Sequence, residues 1–171
     1  WFKDKFPDFT EPQKVAIPRI LNGEHLLLCS PTGSGKTLTA FLTIIDDLVR
    51  RSLDGSLPDA VQCVYISPIK ALANDIEKNL MGPLGEIKER YLPSRAKEIK
   101  VGLRTGDTPQ SEREKMLRKP PHILITTPES LGLGLASKRF RPILDQMKWF
   151  IIDEMHSLVP TKRGTHLSLS M

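Results

Sequence analysis

Apolar residues gather in five short runs along the chain: Leu26 to Cys29, Val61 to Ser67, Val101 to Arg104, Ile123 to Thr126 and Trp149 to Asp153. Within each run they are nearly continuous rather than alternating, the pattern of strands buried on both faces of a parallel sheet. Between the runs the apolar spacing lengthens to three or four. From Lys36 to Arg51 it sets Phe41, Ile45, Leu48 and Val49 along one stripe and Asp46, Asp47, Arg50 and Arg51 off it, which predicts an amphipathic helix. Shorter helices are predicted at Ala71 to Leu80, Ser111 to Leu117 and Glu129 to Leu135. The stretch RSLDGSLPDA, residues 51 to 60, carries turn chemistry and predicts a mobile surface loop. Strands alternating with helices predict an α/β fold of three layers, with a mostly parallel sheet and right-handed crossovers.

Composition narrows the class without naming a chemistry. The 171 residues suit one domain; 39% are hydrophobic and 26% charged, enough apolar mass for a single core. No apolar run approaches the roughly 18 residues of a membrane helix. No signal peptide opens the chain. Lys and Arg exceed Asp and Glu by 25 to 20, a balance compatible with a polyanionic partner. Cys29 and Cys63 lie in apolar runs and form no metal-type cluster, so two buried thiols in a reducing, cytoplasmic setting are expected. The chain opens on Trp1 and closes inside THLSLSM, which reads as the opening turns of a helix. Both ends are expected to be cut from something longer.

The first candidate chemistry lies in LLLCSPTGSGKTLTAFL, a predicted strand, a glycine loop and a helix. Glycines let a backbone approach a phosphate with its N–H groups turned inward, and the following helix N-terminus adds a favourable dipole. Thr32, Gly33, Ser34, Gly35, Lys36 and Thr37 are therefore candidate nucleotide contacts. Lys36 would reach the β- and γ-phosphates and Thr37 would bind Mg²⁺. The general phosphate-loop pattern has a glycine where this chain has Ser30; the glycines at 33 and 35 still supply the loop. The alternative is an exposed glycine turn before a helix.

The second lies in WFIIDEMH, where a buried strand ends in Asp153 and Glu154. At the carboxyl end of a parallel strand, an Asp can hold Mg²⁺ and a Glu can orient an attacking water. Alone, the pair would be read as a good helix start. Beside a phosphate loop the catalytic reading of Lys36, Asp153 and Glu154 is favoured, with Thr37 and Asp153 as the metal ligands.

With both motifs in one chain, the sequence resembles the superfamily 2 helicases. FTEPQ resembles their Q motif, SPIKALAND their motif Ia, and RTGDTPQSER and TTPESL the next two nucleic-acid-facing motifs. Together with DEMHSLVPTKRGTHL, the set is most similar to the large helicase-related family, over the whole of residues 1 to 171. That family usually shows DEVH; Met155 in place of Val leaves both carboxylates intact. The resemblance implies a RecA-like P-loop NTPase domain, the first of two. It also implies that the C-terminal part of this domain and the second motor domain lie outside the chain. It implies MgATP hydrolysis coupled to 3′-to-5′ movement on a single strand, chiefly DNA. An arginine finger from the second domain would be needed, leaving residues 1 to 171 alone nearly inactive.

The resemblance assigns roles residue by residue. Gln13 would read the adenine edge, although Thr10 and Gln13 also form a T-x-x-Q capping box; Pro18 is expected to end that helical turn and start another. Phe6 and Phe9 are candidates for stacking on adenine, with core packing the favoured role. Pro68, Lys70, Ala71, Arg104, Thr105, Gly106, Thr126 and Thr127 would face the nucleic acid, with Arg113 a further phosphate contact. Such contacts to the backbone carry little sequence preference. His156 would couple the two sites; His25, His122 and His166 are read as structural. Lys162 and Arg163 have no assigned role. A small-molecule kinase would share the phosphate loop but need an acceptor site that nothing here suggests. A module that binds nucleotide or nucleic acid without turnover stays open.

Overall fold

The computed structural model describes residues 1 to 171 except Thr32 and Met171, and within its helices leaves aside the side chains of Ala71, Asn74, Lys78 and Asn79. Short helix α1 (Phe2–Lys5) is set by aromatic contact: Phe2 stacks on Phe6 and Phe9 at centroid distances of 4.9 and 4.4 Å. Trp1 Nε1 donates to Glu86 at 2.8 Å and the Tyr91 hydroxyl to Asp4 at 2.6 Å, tying the N-terminus to residues far along the chain. Helix α2 (Glu11–Leu21) begins where the Thr10 N–H donates to Gln13 Oε1 at 3.0 Å, the expected cap. It runs through Pro18 unbroken, contrary to the expected stop, with Ala16 fully buried. Helix α3 (Lys36–Leu53) buries Phe41, Ile44, Ile45 and Leu48, close to the predicted stripe. These elements and residues 83 to 97 form one compact unit; residues 58 to 82 and 98 to 171 form another.

The second unit holds every strand found among the described residues. In chain order it contains β1 (Cys63–Ile66), the start of α4 (Lys70–Tyr91), β2 (Val101–Arg104), α5 (Gln110–Arg118), β3 (Ile123–Thr126), α6 (Pro128–Leu135), a 3₁₀ turn at Arg141–Leu144, β4 (Trp149–Ile152), α7 (Met155–Leu158) and α8 (Lys162–Ser170). The sheet order is β2-β3-β1-β4, parallel throughout, with Cys63 opposite both Ile123 and Trp149. The two inner strands, β1 and β3, are buried at every residue, as their continuous apolar runs require; edge strand β4 is half-buried. Val64, Ile66 and Leu124 pack with Leu131, Phe140, Ile143, Leu158 and Leu167 in the core.

Four of the five predicted strands form. Leu26 to Cys29 does not: no ladder pairs it among the described residues, Leu27 is 73% exposed and Cys29 is exposed. An apolar run is only a candidate strand, because a strand exists through hydrogen bonds to a neighbour. The buried-thiol expectation therefore holds for Cys63, whose burial pushes its pKa up, and fails for Cys29. Helix α4 runs eleven residues past its predicted end, through Pro83, since burial of Leu84 and Ile87 offsets the local cost. The expected surface loop is anchored: α3 extends into it, Leu57 and Ala60 are buried, and Lys97 Nζ donates to the Leu57 carbonyl at 2.9 Å. Among the described residues no helix is long and apolar enough to cross a membrane.

Two glycines separate packing from backbone entropy. A Cβ on Gly134 would lie 2.6 Å from the buried Phe140 ring, whereas one on Gly85, inside α4, meets nothing within 4 Å. Gly134→Ala should cost about 1–3 kcal/mol, and Gly85→Ala should add about 0.5–1 kcal/mol. Thermal unfolding should move the two midpoints in opposite directions.

Candidate functional site

The phosphate-loop candidates lie in the first unit, and their geometry follows from two glycines. Gly33 and Gly35 take φ of +79° and +84°, the left-handed region that side chains disfavour, and Gly35 is the N-cap of α3. A Cβ on Gly35 would lie 2.8 Å from Gln13 Nε2, so the position excludes a side chain on both counts. Gln13 is buried, with its carbonyl end on the Thr10 N–H and its amide end against the loop. Thr10 Oγ1 donates to the Ser34 carbonyl at 3.0 Å. Ser30, standing where the general pattern has glycine, pairs its hydroxyl with that of Ser34 at 2.6 Å and closes the loop on itself.

Lys36 Nζ folds back over this loop, donating to the carbonyls of Ser30 and Pro31, the latter at 3.0 Å. Thr37 is half-buried in the first turn of α3. Thr32 lies outside the described residues. Phe6 and Phe9 are partly exposed members of the aromatic stack around Phe2.

The acidic pair lies in the second unit, just past β4. One Asp153 carboxylate oxygen accepts from the hydroxyl of Tyr65, a buried residue of neighbouring β1; the other accepts from the Glu154 N–H at 2.9 Å. Glu154 has φ +48° and ψ +43° and is the sole non-glycine residue of left-handed φ among those described. Such a conformation costs on the order of 1–3 kcal/mol and concentrates at functional positions. The Glu154 carboxylate sits 3.3 Å from His156 Nε2.

The loops after β1, β2 and β3 leave the same end of the parallel sheet, as the sequence predicted. The side chains on them divide sharply. Lys70 is exposed and paired with both carboxylate oxygens of Asp107, at 2.7 and 2.6 Å, beside exposed Gly106. Arg104, expected at a phosphate, is buried with its guanidinium 4.0 Å from the Phe140 ring centroid; burial and nearby Arg113 lower its pKa. Edge strand β2 turns Gly102 and Arg104 inward by simple alternation, which the short apolar run did not reveal. Arg113 is likewise engaged, donating to the carbonyls of Thr108, Gly106 and Thr105 at 2.8, 2.9 and 3.2 Å, and so shapes the loop from behind.

The threonine hydroxyls also serve the fold. Thr105 Oγ1 accepts from the Asp107 N–H, buried Thr126 donates to the Arg104 carbonyl at 2.7 Å, and Thr127 caps α6 through the Ser130 N–H. Pro68 is buried, and its carbonyl accepts from Arg163. The side chain of Ala71 lies outside the described residues. Of the three basic candidates on these loops, Lys70 is exposed, whereas Arg104 and Arg113 are engaged within the fold.

Residues 10 to 171 match the family model described as DEAD/DEAH box helicase. This chain belongs to that family. The DEAD/DEAH box helicase domain here is 55% identical to the ATP-dependent helicase Lhr-Core of Methanothermobacter thermautotrophicus, over all of this chain and 20% of the relative. It is 44% identical to the Lhr helicase/uracil glycosylase of Escherichia coli, over all of this chain and 11% of that protein. Among solved structures it superposes on Mycobacterium smegmatis helicase Lhr bound to ssDNA and AMP-PNP, with TM-score 0.88 and 46% identity over 99% of this chain and 21% of that one. The fold is the RecA-like helicase domain, and the chain spans about a fifth of the first of these relatives.

Four contacts in this DEAD/DEAH box domain have no signal in the sequence: Tyr65 on Asp153, Asp107 on Lys70, and Arg163 on both Pro68 and Glu129. Each joins residues at least 34 positions apart in the chain, so no local spacing announces it.

Proposed function

We propose that this domain is the nucleotide-binding half of an ATP-driven motor that moves along single-stranded nucleic acid, with DNA favoured over RNA. The observation that carries the reading is the loop from Ser30 to Lys36: two left-handed glycines and a lysine already held by loop carbonyls, at the head of an 18-residue helix. In this reading Thr32 to Thr37 take the triphosphate, and Gln13 the adenine edge. The ssDNA and AMP-PNP bound by the M. smegmatis relative support the choice of ligands.

Mg²⁺ suits the residues present. Among the described residues no three His, Cys, Asp or Glu side chains converge as an all-protein metal site. Mg²⁺ is typically held by one or two protein oxygens together with substrate phosphates. Thr37 offers a hydroxyl beside the phosphate loop, and Asp153 offers a carboxylate already aligned by Tyr65 and the Glu154 N–H. Mg²⁺ carried with a nucleotide would neutralise charge on the transferring phosphoryl group. Glu154 orients the attacking water and takes its proton. Strand contact falls to Lys70, Ala71, Gly106 and the loop backbone around Pro68, Thr105 and Thr127, with Arg104 and Thr126 supporting them.

Hydrolysis depends on a second RecA-like domain of the full-length protein, because an arginine finger is worth about 10³–10⁵ in rate. Both cysteines are free thiols, in keeping with a cytoplasmic protein.

Two outcomes follow for the full-length protein. Glu154→Gln keeps the side chain's shape but removes its basicity, so ATP should bind and persist while strand-stimulated hydrolysis falls by about 10²–10⁴. Equilibrium binding and single-turnover hydrolysis separate these quantities; lost binding would make Glu154 a structural residue. Affinity for single strands should fall steeply with salt, and Lys70→Ala should reduce the log–log slope by about one while weakening all sequences alike. An unchanged slope would move the strand-binding face elsewhere.

A further inference from the structure

Arg163 stands in a segment to which the sequence assigns no role, yet it makes two directed contacts. Its Nη1 donates to the Pro68 carbonyl at 2.9 Å and its Nε to Glu129 Oε1 at 2.7 Å. Pro68 lies in the loop that delivers Lys70. Glu129 lies in the first turn of α6, two residues beyond Thr127. Arg163 itself is the second residue of α8, which follows the acidic pair through α7 alone. One guanidinium therefore joins two strand-facing loops and the segment that continues from Asp153 and Glu154.

We propose that Arg163 is a positioning residue that clamps the Pro68 loop and the start of α6 to the segment following the acidic pair, coupling strand binding to ATP hydrolysis. The proposal rests on the reading of these loops as the strand-binding face.

Three features favour coupling over stabilisation. The ion pair is open to solvent, with Arg163 and Glu129 side chains 51% and 44% exposed, and such pairs contribute little to folding. The Pro68 carbonyl and the Glu129 carboxylate lie on different elements, and a planar guanidinium presents donors to both in fixed directions, which a lysine ammonium does not reproduce. Glu154 holds a left-handed backbone nine residues upstream, so a shift of α8 is transmitted toward a position that already stores strain.

The test uses full-length protein and measures ATPase as single-stranded DNA is titrated in, for wild type, Arg163→Ala, Arg163→Lys and Glu129→Gln. Arg163→Ala should leave the strand-free rate and the KM for ATP within about twofold of wild type. Its maximal strand stimulation should fall by about tenfold, within the usual range of coupling between sites. Arg163→Lys should recover less than half of that loss, and Glu129→Gln, which keeps the fold's packing, should show a smaller loss of the same kind. The double variant Arg163→Ala, Glu129→Gln should be no worse than Arg163→Ala, since both remove one interaction. Equal losses in strand-free and strand-stimulated rates would make Arg163 a structural residue and overturn the proposal. So would full stimulation in Arg163→Ala, or additive losses in the double variant. A wild type that no single strand stimulates would overturn the motor reading itself, together with the clamp.

Discussion

A loop that presents its backbone to a polyanion must leave out side chains where the chain turns left-handed, and Gly33 and Gly35 meet that constraint at the head of α3. The rest of the first unit's site is arranged around it. Gln13 fills the space that a side chain at Gly35 would occupy, Thr10 and Ser30 both bond to Ser34, and Lys36 closes over the Ser30 and Pro31 carbonyls. Thus Gln13, proposed above to read adenine, is also the residue that packs against the glycine. Replacing the Ser30 hydroxyl by the glycine of the general pattern would remove the contact that closes the loop from its first residue.

The second unit uses a different economy. Parallel strands release their loops at one end, and several polar side chains at the strand ends and beside the loops turn inward to fix them. Arg104 on Phe140, Arg113 on three carbonyls, Thr126 on Arg104 and Thr127 on Ser130 leave Lys70 and backbone groups facing outward. In the proposed reading, such a surface would meet a strand's phosphates through few charges and many fixed dipoles, a mode with little sequence preference. Lys70 itself is exposed and paired with the Asp107 carboxylate.

The parts legible in the sequence were those set by local pattern. The buried runs located β1 to β4 and the three-to-four spacing located α3, while the glycine loop and acidic pair marked the two segments on which the proposed chemistry rests. Two kinds of feature stayed hidden. Leu26 to Cys29 has a strand's composition, but pairing is a property of two segments, and one segment cannot reveal that its partner is missing among the described residues. The inward turn of Arg104 and the Tyr65 bond to Asp153 depend on which face of the sheet each residue meets, set by register between strands distant in sequence. Basic residues in family motifs read alike whether they touch a phosphate or support the loop that does; burial and bonded partners distinguish Lys70 from Arg104 and Arg113.

The central claim is that the Gly33–Lys36 loop holds a nucleotide's phosphates. Its most direct test is equilibrium binding of a fluorescent ATP analogue with Mg²⁺ to full-length wild type and to Lys36→Ala. Losing a charge-assisted contact worth about 1.5–3 kcal/mol should weaken binding by roughly 10- to 150-fold, measured at a temperature where both proteins remain folded. Unchanged affinity in Lys36→Ala would contradict the account.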